Sequence, residues 1–120
     1  MLTLPPDTKI FLATSRIDGR KGIDGLAAIV RGQFLLEPLE GGLFVFFSRR
    51  ADRVRVLFFD RDGYVLITKR LEKGRFHTPW SDVQGSHRPI EAGELLLILE
   101  GIDLRDARRR PRWSPRTRAA

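Results

Sequence analysis

Three short runs rich in Val, Ile, Leu and aromatic residues follow one another at residues 43–48, 53–59 and 64–70, and only four residues separate each from the next. Connections that short leave antiparallel pairing as the only route by which successive strands can lie side by side. The second separator, Asp60-Arg61-Asp62-Gly63, carries an Asp-Gly pair able to supply the positive φ of a tight hairpin. A three-stranded antiparallel meander is therefore predicted at the centre of the chain. Alternation along the middle strand sets Arg53, Arg55, Leu57 and Phe59 on one face and Val54, Val56 and Phe58 on the other.

The flanking segments read as a mixture of helix and strand. Residues 9–13, Lys-Ile-Phe-Leu-Ala, are short and β-prone and predict a first strand. Asp18 is suited to cap a helix on which Ile23, Leu26, Ala27, Val30 and Phe34 recur at the three- and four-residue spacing of one buried face. Gly22, Gly25 and Gly32 weaken that helix by up to about 1 kcal/mol each. Either they permit close approach, in packing against a sheet or in contact with a ligand, or the helix starts later and ends earlier than the pattern suggests. Residues 37–42 form a connector through Pro38 and the Gly41-Gly42 pair. Residues 76–89, rich in Thr, Pro, Ser, Gly and His, predict an irregular loop, and residues 91–100 a short helix with Glu91 and Glu94 at the positive end of its dipole. The expected fold is a single α+β domain over residues 1–104, ordered β-α-β-β-β-α. A flexible arginine-rich tail follows over residues 105–120.

A chain of 120 residues, 42% hydrophobic, supports one core and not two. The absence of cysteine excludes disulfides, thiolate metal sites and thiol redox chemistry, and suits a reducing cytoplasm. No apolar run approaches the roughly 20 residues of a membrane helix, and the first residues lack a basic start followed by an apolar stretch. A cytoplasmic protein without a membrane partner is expected.

The formal charge of +7 is distributed unevenly. Beyond residue 104, seven arginines, among them Arg108, Arg109, Arg110 and Arg112, face one aspartate. In the preceding part, residues 49–75 hold nine basic side chains against four acidic ones, and residues 76–104 are net negative. Folding the hairpin brings Arg53 and Arg55 near Lys69 and Arg70. Together with Arg49, Arg50, Lys73 and Arg75 these form a candidate phosphate-binding surface, with Phe76 or Trp80 available for base stacking. Ordinary surface pairing with Asp52, Asp60, Asp62 and Glu72 is the competing explanation of the same charges. The tail gains from counterion release on any polyanion, without sequence preference.

Signals for catalysis are weak. Metal-dependent strand transfer needs clustered carboxylates, and Asp18 with Asp24, or Asp60 with Asp62, are better explained as capping, turn or arginine-paired residues. His77 and His87 lack zinc-site spacing, no nucleophile elbow is present, and Gly19-Arg20-Lys21-Gly22 is not a full P-loop. No metal or cofactor is expected.

The run Asp18-Gly19-Arg20-Lys21-Gly22-Ile23-Asp24-Gly25-Leu26-Ala27-Ala28-Ile29-Val30 resembles the D-x-R-K-G-F-D-G-L-A-A-L-V signature of the TnpB-type proteins of the IS-sixty-six insertion-sequence family. Within it the motif residues are Asp18, Arg20, Lys21, Gly22, Asp24 and Gly25. Three further blocks follow in the family's order: residues 42–53 resemble G-x-L-F-V-F-x-x-R-R-x-D-R, residues 69–76 resemble K-R-L-E-x-G-R-F, and residues 99–103 resemble L-E-G-I-D. The chain departs from the pattern at Phe58-Phe59 and at His77-Thr78-Pro79. The resemblance implies a bacterial, non-catalytic accessory protein of a mobile element, encoded beside a larger transposase and needed for efficient transposition. Its implied partners are the transposase, other proteins of the element and DNA. A stand-alone nucleic-acid-binding regulator of the element is the alternative, and a nuclease is a third, less supported one.

Overall fold

The structure is a computed structural model that describes residues 7–77, 85–100, 102–103 and 108–109. Five strands form one mixed sheet: β1 (Ile10–Ala13), β2 (Leu43–Phe47), β3 (Arg53–Asp60), β4 (Gly63–Arg70) and β5 (His87–Ile90), in spatial order β4-β3-β2-β1-β5. The meander predicted from sequence is β2-β3-β4, antiparallel and without a register break, with Phe44 opposite Leu57 and Phe58 opposite Val65. β1 runs parallel to β2, so a crossover connects them, and that crossover carries helix α1 (Ile23–Ile29). Helix α2 (Ala92–Glu100) follows β5 on the other face of the sheet.

Two apolar layers result. Because β2 is central, alternate residues fill both: Phe44 and Phe46 meet α1 residues Leu26, Ala27 and Ile29, while Leu43, Val45 and Phe47 meet Leu95 and Ile98 of α2. All five residues of β2 are buried, as expected for a strand covered on both faces. Phe34 stacks on Phe46 with ring centroids 5.9 Å apart.

Local chemistry differs from the sequence expectation in several places. The β3-β4 turn takes its positive φ at Arg61 (55°), while Gly63 is the first residue of β4. At the end of the predicted irregular loop, residues 87–89 together with Ile90 pair antiparallel with β1 and form β5; Pro89 is accommodated because this is an edge strand. Asp18 does not cap α1. The helix starts at Ile23 after Gly22, with no side-chain cap. The close-packing explanation of the helical glycines also fails, because Gly22 and Gly32 face open space and Gly25 lies against the Lys21 side chain. Gly42 does need to be glycine: its φ is 101°, and a Cβ there meets the Phe11 ring at 3.4 Å. At α2, Glu94 accepts the backbone N–H of Glu91, satisfying one orphan donor of the first turn.

After Ile29 the crossover continues as one π-helical segment, Val30–Phe34, and stops at Leu35 in the left-handed conformation (φ 57°). Leu35 is also 80% exposed, so its side chain recovers little for the steric cost of that backbone. Leu35→Gly is expected to stabilise the fold by about 1 kcal/mol, measured by denaturant unfolding. An unchanged or lower stability would show that the side chain is held by contacts outweighing the strain.

Strands β6 (Ile102–Asp103) and β7 (Arg108–Arg109) form a separate two-stranded antiparallel ladder. It spans the boundary expected at Leu104 and includes two of the predicted nucleic-acid contacts, Arg108 and Arg109. Arg110, Arg112 and Trp80 lie outside the described residues.

Candidate nucleic-acid interface

The loop between β1 and α1 rejoins the sheet at Ile17, which bridges to Ser48 and donates its N–H to the Phe47 carbonyl at 2.8 Å. Residues 18–22 are thereby laid beside the β2-β3 turn. Asp18 shapes this loop: its carboxylate accepts the backbone N–H of Arg20 at 2.9 Å and pairs with the Arg20 guanidinium at 3.0 Å. The Arg20 side chain is 91% exposed. The Arg20 side chain and backbone N–H, aided by the charge of Arg49, hold the Asp18 carboxyl at a pKa of about 2, below its ordinary 3.8.

This shift has a defined sign. Stability supplied by ionised Asp18 is present above its unfolded value and disappears as pH falls through the folded one. Asp18→Asn is therefore expected to flatten the loss of stability between about pH 4 and pH 2, and Arg20→Ala to return the carboxyl, followed by NMR, toward its ordinary value. A carboxyl that titrates normally in the unsubstituted chain would contradict the loop geometry.

Arg55 secures the loop from below. Its Nη1 donates to the carbonyl of Gly19 at 3.3 Å and to that of Lys21. Burial, together with the nearby charge of Arg53, lowers the Arg55 pKa. Sequence parity grouped Arg55 with Arg53 as a phosphate contact; the fold instead commits its guanidinium to backbone carbonyls. Arg53 runs alongside Gly19, where an added Cβ would lie 3.9 Å from its Nη1. In the ladder Arg53 is opposite Arg70, as the hairpin expectation required. Arg49 and Arg50 are exposed in the adjoining turn, and Arg16 reaches the Arg49 carbonyl at 3.4 Å.

Arg20, Lys21, Arg49, Arg50, Arg53 and Arg70 thus share one end of the sheet. The nearby acids are partly committed: Asp18 to Arg20, Asp52 to the Ser48 hydroxyl at 2.9 Å, and Glu72 to Arg70 at 3.3 Å. Lys69 does not join them. It is opposite Val54, hence on the other face, and its Nζ donates to the Leu99 carbonyl at the C-terminal end of α2 at 2.9 Å. Lys73 and Arg75 are exposed in the segment after β4. Phe76 offers no stacking face, being 3% exposed and set edge-on against Phe47. Arg20 and Lys21 were visible in the sequence as part of a family-like motif and of an incomplete P-loop pattern, and their adjacency to the β2-β3 turn follows from the Ile17 bridge.

Asp18 is engaged by Arg20, Asp24 is exposed in the first turn of α1, Asp60 ends β3 and Asp62 lies in the β3-β4 turn. Among the described residues, no group of three or more His, Asp or Glu side chains is arranged to hold a metal ion. His87 stacks on Phe34 at 4.6 Å, and its Nδ1 lies 2.9 Å from the Ser86 hydroxyl. No helix is long and apolar enough to cross a membrane among the described residues.

Fold and site define a small α+β domain with a cationic sheet end. The family of IS66 Orf2-like proteins matches residues 8–109, and the chain belongs to that family, the accessory proteins of IS66 elements. Two proteins of Sinorhizobium fredii (strain NBRC 101917 / NGR234) are similar to it. The uncharacterized protein y4jC is 36% identical over 103 residues, 86% of each chain. The uncharacterized protein y4hO is 37% identical over 105 residues, 88% of this chain and 90% of its own. No solved structure matches the chain.

Proposed function

We propose that this chain is a non-catalytic accessory protein that assists the transposase on the DNA of its element, contacting the phosphate backbone through the cationic sheet end. The observation that carries this reading is the convergence of Arg20, Lys21, Arg49, Arg50, Arg53 and Arg70 on one end of the sheet, from three separate segments. Several guanidinium groups on a fixed scaffold suit repeated phosphates and release counterions on binding. Such contacts position a protein without reading bases, so sequence choice is assigned to the transposase. Arg108, Arg109, Arg110 and Arg112 add sequence-independent affinity.

The test is mobilisation of an element carrying its own transposase, with this chain supplied unsubstituted or as R49E/R50E. Mobilisation is expected to fall at least about tenfold with the substituted chain, as loss of two phosphate contacts and introduction of two repulsive charges requires. Unchanged mobilisation at equal protein level would refute the phosphate-contact role.

A further inference from the structure

Of the two sheet edges, β5 is four residues long and contains Pro89, whereas β4 is eight residues long, lacks proline and pairs with β3 one residue to one throughout. Among the described residues no strand lies beyond β4. Its direction of hydrogen bonding follows from the ladder. The Arg53 carbonyl accepts from Ser48 N–H and so faces β2, which turns Val54 toward β4 and makes its partner Lys69 face β3. Alternation then directs the backbone N–H and C=O groups of Tyr64, Leu66, Thr68 and Arg70 outward. An unbroken row of outward donors and acceptors is a template for another strand.

The second half of β4, residues 67–70, is exposed, and Ile67 remains 44% exposed there. That half is also net cationic: Lys69, held to the Leu99 carbonyl, and Arg70 lie on the strand, and Lys73 and Arg75 follow it, against the single acid Glu72, which pairs with Arg70 at 3.3 Å. These charges select the occupant. A parallel copy in register sets Lys69 and Arg70 beside their own counterparts, and an antiparallel copy paired along the strand sets them opposite uncharged residues of β4, so neither supplies an acidic partner. The chain's own segment beyond residue 104 carries seven arginines against one aspartate and is equally ill matched.

We propose that β4 is a docking edge for an extended acidic segment of another protein, added as a sixth strand. Its apolar side covers Ile67 and its carboxylates face Arg70 and the cations that follow. This site shares Arg70 with the proposed DNA contact but none of Arg20, Lys21, Arg49, Arg50 or Arg53, and T68P leaves the side chains of that contact in place, so either can fail alone.

The test uses the full chain and two peptide probes of about ten residues, one alternating valine with glutamate and one valine with lysine. The glutamate peptide is expected to bind at least about tenfold more tightly, slowing amide exchange at Tyr64, Leu66, Thr68 and Arg70. T68P removes only an outward N–H, and is expected to abolish that slowing and weaken binding at least about tenfold. Equal binding of both peptides, protection elsewhere, or binding indifferent to T68P would overturn the proposal. Should T68P fail to fold, K73E/R75E, altering two exposed side chains, is expected to erase the preference for glutamate; a preserved preference overturns the proposal. A dimer of the unsubstituted chain that T68P dissociates would also overturn it, in favour of a second copy.

Discussion

Phe46→Ala is expected to cost the fold about 3–5 kcal/mol, a loss comparable to the entire stability of many domains of this size. Phe46 is fully buried in the central strand, stacked on Phe34 and packed beneath α1. Removing the ring discards its burial and leaves a cavity that the flanking strands cannot close, because β2 is held by ladders on both sides. The loss also loosens Phe34, which ends the π-helical segment and supports His87 through ring stacking. Denaturant unfolding measures it. A cost below about 1.5 kcal/mol would mean that the α1 layer repacks freely, contrary to the layered core described above.

The triple charge reversal R49E/R50E/R53E is expected to lower affinity for duplex DNA at least about a hundredfold at low salt and to flatten the salt dependence by about three contacts' worth. Arg49 and Arg50 project from an exposed turn and Arg53 is half-buried at the start of β3 beside Gly19, and none of the three belongs to the apolar core. K69E serves as the contrast. Lys69 is committed to the Leu99 carbonyl on the opposite face, so its reversal is expected to destabilise the end of α2 and leave DNA affinity within about threefold of the unsubstituted chain. Equal loss from both sets would indicate a diffuse attraction to net charge, with no interface at that end of the sheet.

The meander was legible because its information is local: period-two patterning in residues 43–70, and separators too short for anything but hairpins. Even the adjacency of Arg53 and Arg70 follows from one hairpin register. β5 was hidden, since His87-Arg88-Pro89-Ile90 has no strand pattern of its own and is extended because β1 offers it an edge. The roles of Arg55 and Lys69 were hidden for a related reason. Their partners are main-chain carbonyls of Gly19, Lys21 and Leu99, supplied by segments at least thirty residues away, and no side-chain pattern marks a carbonyl. Parity within the hairpin does separate Lys69 from Arg53, because Lys69 is opposite Val54. The position of Arg20 and Lys21 depends on the parallel return of Ile17 to Ser48, a nonlocal contact.

Amide chemical-shift mapping of the full chain, titrated with duplex DNA at near-physiological salt, tests the cationic sheet end most directly. The largest changes are expected at residues 18–22 and 49–53, with Lys69 and α2 unaffected. Changes confined to residues beyond 104, with residues 18–22 and 49–53 silent, would contradict the assignment of DNA contact to the folded domain.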